Sequence, residues 1–498
     1  VGSEMCIRDR YIMNKISCFL PYAGKEQVEK TVNSLQATGL IEEIRLITTD
    51  ATLESLPDCE ILFVDMPYSS ATLKAIANAA KGEYTLLYTK ETTLEMGMFA
   101  LERMIHILED SSAGMVYADH YQIADGKQSN APVIDYQFGS LRDDFNFGSL
   151  LLFNTEKLKE AAGHMKSDYN FAGLYDLRLK LSQHSDLVHI NEYLYSEVEN
   201  DTRKSGEKIF DYVDPKNRDR QIEMEQACTE HLKEIGGYLA PEFKKIEFSA
   251  GNFEYEASVI IPVRNRIRTI RDAIKSVLMQ KTDFKYNLII IDNHSTDGTT
   301  EAIDEFKDDE RVIHIIPERT DLGIGGCWNM GVHHPKCGKF AVQLDSDDVY
   351  KDENTLAIMV RAFYEQNCAM VVGTYMMTDF NMNMIAPGII DHKEWTPANG
   401  RNNALRINGL GAPRAFYTPV LREVKVPNTS YGEDYALGLN FSRQYQIGRV
   451  YDVVYLCRRW DDNSDASLDI VKMNGHNLYK DRIRTWELQA RIAMNKNK

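Results

Sequence analysis

The sequence predicts an α/β fold of two tandem domains, each built on a mostly parallel sheet covered by helices. Strand-like apolar runs alternate with helical patterns in both halves, as in ISCFLPY, KEQVEKTVNSLQ and EIRLITTD early, and ASVIIPVRN, RTIRDAIKSVLMQ and YNLIIIDNHSTDGT late. Such alternation is typical of parallel sheets with helical crossovers. The halves also share one frame, GEYTLLYTKETTLEMGMFALERM from Gly82 and GKFAVQLDSDDVYKDENTLAIMV from Gly338. We therefore predict an internal duplication, with two unrelated α/β layouts as the alternative.

The predicted domains span residues 13–205 and 251–475. Residues 206–250 join them and include an amphipathic helix, because Met224, Cys228, Leu232 and Ile235 recur at helical spacing before a Gly-Gly pair.

The two ends of the chain are predicted separately. Residues 476–498 are expected to form a C-terminal helix with a basic end. Residues 1–12, VGSEMCIRDRYI, show no pattern that would join a fold, so we expect a non-native leader before a start at Met13.

Composition excludes several classes of protein. A net charge of -17 argues against nucleic acid as the main partner. The eight cysteines are scattered without metal-site spacing, which favours buried free thiols and a reducing compartment over disulfides. No apolar run approaches the ~20 residues of a membrane-spanning helix. We therefore predict a cytoplasmic protein without a transmembrane segment.

Two candidate ligand turns follow strands of the second half. ASVIIPV is followed by Arg264, and NLIIID ends at Asp292. Ligands bind outside the carboxyl ends of strands in an open parallel sheet, so both turns are predicted to line one crevice. Asp292 is expected to be free to accept hydrogen bonds from a base or a ribose, while Ser295 and Asp297 cap the helix TTEAIDEF. The alternative is that these polar residues only cap that helix.

An acidic knot, which we define as Asp345, Ser346, Asp347 and Asp348, follows the strand FAVQL at the same edge. Its three carboxylates repel one another unless solvent or a cation compensates, and hard oxygen ligands suit Mg²⁺ or Mn²⁺. Such a metal can bridge a diphosphate and offset the charge of a departing nucleoside diphosphate. Helix capping is the alternative role for these residues.

A second acidic pair, Glu433 and Asp434, opens the helical segment YALGLNFSRQ. It is either a stabiliser of the helix dipole or, if it faces the crevice, a source of a general base for a hydroxyl nucleophile. The sequence leaves both roles open.

These features, in this order, resemble the inverting glycosyltransferases of family 2, which have the GT-A fold. The resemblance rests on SVIIPVRNRIRTIRDAIKSVLMQ, IIIDNHSTDGT, DLGIGGCWNMGV, VQLDSDD and GEDYALGL, which together cover nearly all of 255–465. The fold class it implies is two tandem GT-A, Rossmann-like domains joined by a helical segment.

The resemblance also implies a donor site. A nucleotide-diphosphate sugar would place its base and ribose against Pro262, Arg264 and Asp292. A divalent cation, Mg²⁺ or Mn²⁺, would bridge its diphosphate to Asp347, with Asp345 in the shell of the ribose and the metal.

For the acceptor, the resemblance implies that Asp434 deprotonates a hydroxyl that attacks and inverts the anomeric carbon. Glu433 would orient the acceptor or the base. The acceptor class stays open between a glycan, a lipid-linked glycan, a protein and a small molecule.

One segment departs from the family pattern. Relatives carry a late R-x-H-x-x-N-x-S segment whose His can complete the metal shell, whereas this chain reads CRRWDDNSDAS with Trp460 at that position. Trp460 is expected to stack on a sugar, with a core position as the alternative. Arg458 or Arg459 is expected to neutralise the diphosphate, Arg414 is a weaker candidate for the crevice, and an oxygen of Asp461 or Asp462 is an alternative metal ligand.

The first half is predicted to be a degenerate copy. Asp345 and Asp347 correspond to Thr89 and Glu91, and the acidic pair corresponds to Gly173 and Leu174, which cannot take a proton. Lys90 puts a cation where a metal would bind. The counterpart strand ends in LITTD, so part of a nucleotide pocket is expected to remain.

The leading hypothesis is a metal-dependent transferase of hexosyl or N-acetylhexosaminyl type in glycan or cell-envelope polysaccharide biosynthesis. The alternatives are a bifunctional two-domain transferase, a nucleotidyltransferase, which the absence of a Gly-rich phosphate loop in PVRNRIRTIRD disfavours, and a non-catalytic glycan-binding tandem. A basic C-terminal helix suggests peripheral contact with the inner face of a membrane.

Overall fold

The structure is a computed structural model that describes residues 15–54, 56–199, 217–249, 251–460, 463 and 468–497. The predicted leader, Met13 and the first part of the predicted linker, up to residue 216, lie outside the described residues. None of the described helices combines the length and the apolar character that crossing a bilayer requires.

The chain divides into two compact units. Within the described ranges, the first comprises 15–138, 143–199 and Glu223–His231, and the second comprises Gly139–Arg142, 217–222 and the residues from Leu232 onward. Each unit contains one nine-stranded sheet.

The first unit alternates strands and helices. Its strands are β1 (Ile16–Pro21), β2 (Ile41–Thr48), β3 (Glu60–Phe63), β4 (Tyr84–Tyr88), β5 (Leu94–Met96), β6 (Met115–Ala124), β7 (Lys127–Ala131), β8 (Leu150–Asn154) and β9 (Leu187–Val198). Its helices are α1 (Lys25–Gln36), α2 (Ser70–Ala79), α3 (Ala100–Asp110), α4 (Thr155–His164) and α5 (Gly173–Ser182). Helix α6 (Arg218–Glu234) follows and has residues in both units.

The second unit repeats this alternation. Its strands are β10 (Ala257–Val263), β11 (Tyr286–Asp292), β12 (Val312–Ile315), β13 (Phe340–Gln343), β14 (Val349–Tyr350), β15 (Met370–Thr378), β16 (Met384–Ile390), β17 (Arg414–Tyr417) and β18 (Ile447–Arg458). Its helices are α7 (Ile270–Leu278), α8 (Thr299–Asp304), α9 (Ile324–His333), α10 (Thr355–Gln366), α11 (Gly400–Asn403), α12 (Thr418–Val424), α13 (Glu433–Gln444) and α14 (Ile470–Lys496).

The two sheets have the same strand order. It is β3-β2-β1-β4-β8-β6-β9-β5 in the first and β12-β11-β10-β13-β17-β15-β18-β14 in the second, with β7 beside β6 and β16 beside β15. In each sheet the first four strands run parallel and the fifth runs antiparallel to its neighbour. This confirms the predicted α/β class with two tandem, mostly parallel sheets.

The central strands are apolar because helices cover both faces of the sheet. Every residue of β11 is buried, and in β10 only Pro262 is partly exposed. Helix α7 turns Ile270, Ile274 and Val277 toward the sheet at helical spacing. Burial of each such side chain stabilises the folded state by about 1.5–3 kcal/mol, because its apolar surface is removed from water.

In each unit a glycine just before a central strand donates a hydrogen bond to a serine of the neighbouring strand, which explains the sequence pattern that the two halves share. Gly82 N–H donates to Ser17 Oγ at 2.8 Å, and Gly338 N–H donates to Ser258 Oγ at 2.7 Å. A Cβ on Gly338 would lie 2.7 Å from the carbonyl carbon of Ala257, and one on Gly82 would lie 2.4 Å from a backbone oxygen of the strand start. Glycine is therefore required wherever this chain segment packs against the first strand of either sheet.

The C-terminal helix α14 begins at Ile470 and is part of the second unit. Arg484 and Arg491 are fully buried, where they pair with Asp481 and Glu487 at 2.7 Å each. These two cations face the protein interior, so the helix offers fewer positive charges to a membrane surface than its sequence suggests.

Candidate active site

The turns after β10 and β11 are tied together by side chains. Asn265 N–H donates to Ser295 Oγ at 3.0 Å, and Thr296 N–H returns a bond to Asn265 Oδ1 at 2.8 Å. Asp297 accepts from the Ile267 and Thr299 N–H groups at 3.1 and 3.0 Å. Because β10 and β11 run parallel with Val263 opposite Asp292, both turns lie at one edge of the sheet.

Helix α8 starts after Gly298, an N-cap residue that has no side chain to cap the helix. Asp297 bonds the Thr299 N–H of its first turn, while Ser295 binds the neighbouring turn instead. The expectation that Ser295 and Asp297 cap this helix therefore fits Asp297 better than Ser295.

The position of Asp292 at a strand end suggested that it is free for a ligand, but the structure encloses it. Its carboxylate is fully buried and accepts from Ser295 N–H at 3.1 Å and Thr300 Oγ1 at 2.5 Å, with His314 Nε2 at 3.5 Å. Burial opposes ionisation, but these donors outweigh it and hold the pKa of Asp292 well below its usual range. The side chain shapes the turn.

Two other predicted donor-site residues lie at the same edge. Pro262 is half-buried near the end of β10, and Arg264 is exposed in the turn that follows. Both positions are compatible with a ligand in the crevice.

The carboxylates of the acidic knot differ in their exposure to solvent. Asp345 and Asp347 remain partly exposed, whereas Asp348 is buried and accepts from Arg458 N–H at 2.8 Å. Burial and the charges of Asp347 and Asp345 raise the pKa of Asp348 well above its usual range. Burial also raises the pKa of Asp345, with Asp347 adding to it and Arg414 opposing it. Asp345 and Asp347 are therefore the two members that a ligand can reach.

Arg458 supports the knot from within. Its side chain is fully buried, and its Nε donates to the Asp347 carbonyl at 2.6 Å while Nη1 reaches Asp272 at 2.8 Å. A guanidinium held in this way stabilises the loop, which differs from the expectation that Arg458 contacts the diphosphate.

Trp460 lies in a cluster of aromatic and basic side chains next to the knot. Its ring packs edge-on to Phe380 at 5.3 Å, and the Arg268 guanidinium lies 4.8 Å from its centroid. Arg266 also approaches this ring, at 6.0 Å, and its Nε lies 3.7 Å from Asp347 Oδ2. Arg266 and Arg268 were not singled out from the sequence, although both are within four residues of Arg264.

Asn463 is a further residue that sequence reasoning missed. Its Nδ2 lies 3.3 Å from Asp347 Oδ2, and its Oδ1 accepts from Trp460 N–H at 2.7 Å. Asn463 falls on the Asn of the R-x-H-x-x-N-x-S pattern, which was the available signal. Asp461 and Asp462 lie outside the described residues.

The acidic pair at the start of α13 is linked to the knot. Arg414 Nη1 lies 2.7 Å from Asp434 Oδ2, and Arg414 N–H donates to Gln343 Oε1 at 3.1 Å. Gln343 Nε2 in turn donates to Asp345 Oδ1 at 2.8 Å. One chain of contacts therefore joins Asp345 to Asp434, although they are far apart in sequence.

The two carboxylates of this pair differ in charge. Burial opposes ionisation of Asp434, but Arg414 and Lys480 outweigh it and lower its pKa. Burial and the charge of Asp434 raise the pKa of Glu433, whose Oε2 has no hydrogen-bond partner within the described part of the chain. Asp434 is therefore the more readily ionised member of the pair and the better candidate for a base.

Close backbone packing places the start of α13. Gly325 N–H donates to the Thr429 carbonyl at 2.9 Å, and Gly323 N–H donates to Asn428 Oδ1 at 2.8 Å. A Cβ on Gly325 would lie 1.8 Å from the Pro427 carbonyl oxygen. The glycines of DLGIGG thus allow α9 to hold the loop that leads into the acidic pair.

The corresponding edge of the first unit has different chemistry. Lys90 Nζ lies 2.6 Å from Glu197 Oε1, and the same buried carboxylate bonds His120 Nε2 at 3.1 Å and Ser149 Oγ. Burial opposes its ionisation, but His120 and Lys90 outweigh it and lower the pKa of Glu197 to about 2. An internal ion pair fills this edge.

Strand register also locates the counterpart of Asp292. Pro21 pairs with Ile47 as Pro262 pairs with Ile291, so Thr48 corresponds to Asp292. The aspartate of LITTD, Asp50, lies two residues farther on, where it accepts from Thr52 N–H at 2.8 Å. The first unit therefore lacks a carboxylate at this position.

A metal would have to use few protein ligands. Within the described ranges, no group of three His, Cys, Asp or Glu side chains is placed to hold a metal ion. Asp345 and Asp347 nevertheless fit a cation that takes one or two carboxylates and completes its shell with phosphate and water, as Mg²⁺ does. One oxygen of Asp345 accepts from the Gln343 side-chain amide at 2.8 Å, and one oxygen of Asp347 accepts from the Asn463 side-chain amide at 3.3 Å.

Residues 258–415 match the family model for Glycosyl transferase family 2. This span contains both turns, the acidic knot and Arg414, while Glu433, Asp434 and Trp460 lie beyond it. The chain therefore carries a glycosyltransferase domain of family 2, which has the GT-A fold.

Two curated relatives illustrate the likeness. An uncharacterized glycosyltransferase of Rickettsia felis is 37% identical over 198 residues, which cover 39% of this chain and 31% of the relative. The putative teichuronic acid biosynthesis glycosyltransferase TuaG of Bacillus subtilis is 29% identical over 126 residues, which cover 25% of this chain and 49% of the relative. The chain spans less than half the length of either relative.

A solved structure is also similar. S. aureus TarS 1-349 in complex with UDP-GlcNAc matches at 18% identity with a TM-score of 0.37, covering 47% of this chain and 72% of that chain.

Proposed function

We propose that the second unit is an inverting, metal-dependent glycosyltransferase that moves a sugar from a nucleotide-diphosphate sugar to an acceptor hydroxyl. The observation that carries the proposal is the linked carboxylate set, in which Asp345 and Asp347 face the same edge and Asp345 is joined through Gln343 and Arg414 to Asp434. A family 2 domain over residues 258–415 supports this reaction class.

On the donor side, Asp345 and Asp347 would hold Mg²⁺ or Mn²⁺. When bound, the metal offsets the negative charge that develops on the departing diphosphate. Arg266, 3.7 Å from Asp347, is placed to add a second positive charge there, and Pro262 and Arg264 line the adjacent turn. Trp460 offers an aromatic surface beside them.

On the acceptor side, Asp434 takes the proton from the attacking hydroxyl. Its pKa is lowered, so it is ionised before the acceptor arrives, while Glu433 has a raised pKa and holds its proton. A protonated Glu433 can donate a hydrogen bond to the acceptor, which fits an orienting role.

The first unit is proposed to be non-catalytic. Thr89, Lys90 and Glu91 replace the acidic knot, and Lys90 is committed to Glu197. Leu174 stands where Asp434 would be, so the unit lacks a base at that position.

The product is proposed to be a glycan or cell-envelope polysaccharide, with transfer of a hexosyl or N-acetylhexosaminyl group in the cytoplasm. The support is the relative named for teichuronic acid biosynthesis, together with the seven free cysteines among the described residues, six of them buried.

A donor panel tests the proposal. Purified protein is incubated with UDP-glucose, UDP-N-acetylglucosamine or GDP-mannose and Mn²⁺, and released nucleoside diphosphate is measured with and without candidate acceptors. We expect Asp434→Asn to lower the transfer rate about 10²–10⁴-fold, the usual contribution of a general base. Asp452→Asn, an exposed carboxylate on β18, is the matched control.

Three outcomes would contradict parts of the proposal. Full activity in Asp434→Asn removes the base assignment, and activity that survives EDTA removes the metal requirement. A product with retained anomeric configuration by NMR excludes inversion.

A further inference from the structure

Arg414 lies beside the acidic pair and is largely buried. It is the first residue of β17, with 16% of its side chain exposed. Nη1 contacts both Asp434 Oδ2 and the Gly411 carbonyl at 2.7 Å. The second contact anchors the guanidinium to the backbone, so the arginine holds Asp434 in one place.

The backbone N–H of Arg414 is linked to the acidic knot through the side chain of Gln343. The Gln343 amide accepts from Arg414 N–H with its oxygen and donates to Asp345 with its nitrogen, at 3.1 and 2.8 Å. Gln343 is only 3% exposed, so its orientation is set by these two bonds and by packing.

The first unit provides an internal comparison. Tyr84 pairs with Asn154 as Phe340 pairs with Tyr417, so the cross-strand pair Leu87–Leu151 corresponds to Gln343 and Arg414.

Helix α5 begins at Gly173 as α13 begins at Glu433, so Leu174 corresponds to Asp434. Leucine therefore replaces all three linked residues in the copy that has lost the acidic knot. A purely structural polar link would not be expected to disappear together with the base.

We propose that Arg414 is a positioning residue whose guanidinium orients Asp434 toward the acceptor hydroxyl, while its backbone N–H, bonded to Gln343, fixes the start of β17 beside the acidic knot. The inference rests on the proposed function, in which Asp434 is the base. Because the Arg414 guanidinium contacts the base directly and affects Asp345 only through its charge, its loss should slow turnover more than it weakens donor binding.

The test uses the full chain and whichever donor of the panel gives the highest wild-type rate. We expect Arg414→Leu to lower kcat about 10–10²-fold while KM for the donor stays within about threefold. Arg414→Lys should restore part of kcat because it returns the charge without the Gly411 anchor. Arg443→Leu is the matched control, since Arg443 pairs with Glu487 at 2.6 Å, outside this network.

Combining variants separates positioning from a general structural effect. If Arg414 acts through Asp434, Arg414→Leu added to Asp434→Asn should lower kcat no further. If Arg414→Leu does not fold, Arg414→Gln replaces it with the same expected loss.

Each result has a defined meaning. Unchanged kcat in the Arg414 variant, a matching rise in donor KM, or full additivity with Asp434→Asn would overturn the inference while leaving the proposed function intact. If wild-type protein uses none of the donors, the proposed function fails and the inference falls with it.

Discussion

At the residue scale, the surroundings of each carboxylate decide its role. Asp292 and Asp348 are buried and accept hydrogen bonds from protein donors, so they stabilise the turns that carry them. Asp345, Asp347 and Asp434 keep part of their surface exposed. A short acidic motif therefore contains both buried and solvent-accessible carboxylates, and burial shifts their pKa values apart.

The acidic pair allows a residue-scale prediction. Because Glu433 has a raised pKa, glutamine should mimic its protonated carboxyl, and Glu433→Gln should keep activity within about fivefold of wild type. Asp434→Asn should lose about 10²-fold or more, since an amide cannot accept the proton. Steady-state rates with the best donor distinguish the two, and an equal loss in both variants would mean that the roles are shared or reversed.

At the element scale, the glycine-to-serine closure explains why two domains with different chemistry share one frame. The closure lies at the amino end of β4 and β13, whereas the acidic knot or its replacement lies at their carboxyl end. The glycine that the packing requires thus lies at one end of the strand, and the residues of the candidate site lie at the other end. The frame can persist while the site changes.

Replacing this glycine should destabilise the second unit. In Gly338→Ala the added Cβ meets backbone atoms of Ala257 at 2.7–2.9 Å, so strand β10 must shift, at a cost of about 1–3 kcal/mol. All four tryptophans lie beyond residue 327, so tryptophan fluorescence during urea unfolding reports this unit.

The control for this substitution lies in α14. Gly475→Ala has open space around its Cβ and should stabilise the helix by about 0.5–1 kcal/mol. Equal unfolding midpoints for wild type and Gly338→Ala would show that the closure is not needed.

At the scale of the whole molecule, two sheets of identical strand order carry unequal sites. The second unit exposes carboxylates at its strand ends, and the first neutralises its own edge with the Lys90–Glu197 pair. The chain therefore combines one sheet edge with partly exposed carboxylates and one sheet edge that already contains a positive charge.

Lys90→Ala tests this division of roles. Removing the ammonium leaves Glu197 buried with His120 and Ser149 as partners, which should cost the first unit about 1–3 kcal/mol. Transfer activity should remain within about twofold at a temperature where the protein stays folded. Because the first unit has no tryptophan, hydrogen exchange of its β4 and β9 amides is the suitable probe.

The transfer activity of Lys90→Ala decides whether the first unit takes part in the reaction. If Lys90→Ala abolishes transfer while the amides of β4 and β9 remain protected, the first unit participates in the reaction and the non-catalytic assignment is wrong.

Local sequence signals were sufficient for the α/β class, the duplicated frame and the two acidic motifs. Strand runs, helical spacing and polar turns depend on neighbours within a few residues, and these patterns are visible in the chain itself. The same local patterns identify Asp345, Asp347 and Asp434 as candidate site residues.

Only the tertiary structure decided which of the candidate side chains are enclosed by protein and which stay partly exposed at the strand ends. Asp292 is enclosed by residues from β12 and α8, Arg458 lies under the knot, and Arg414 meets both Gln343 and Asp434. These contacts depend on strand register and on helices that are distant in sequence. Side-chain direction and burial, which set charge and access, arise from that packing and not from local pattern.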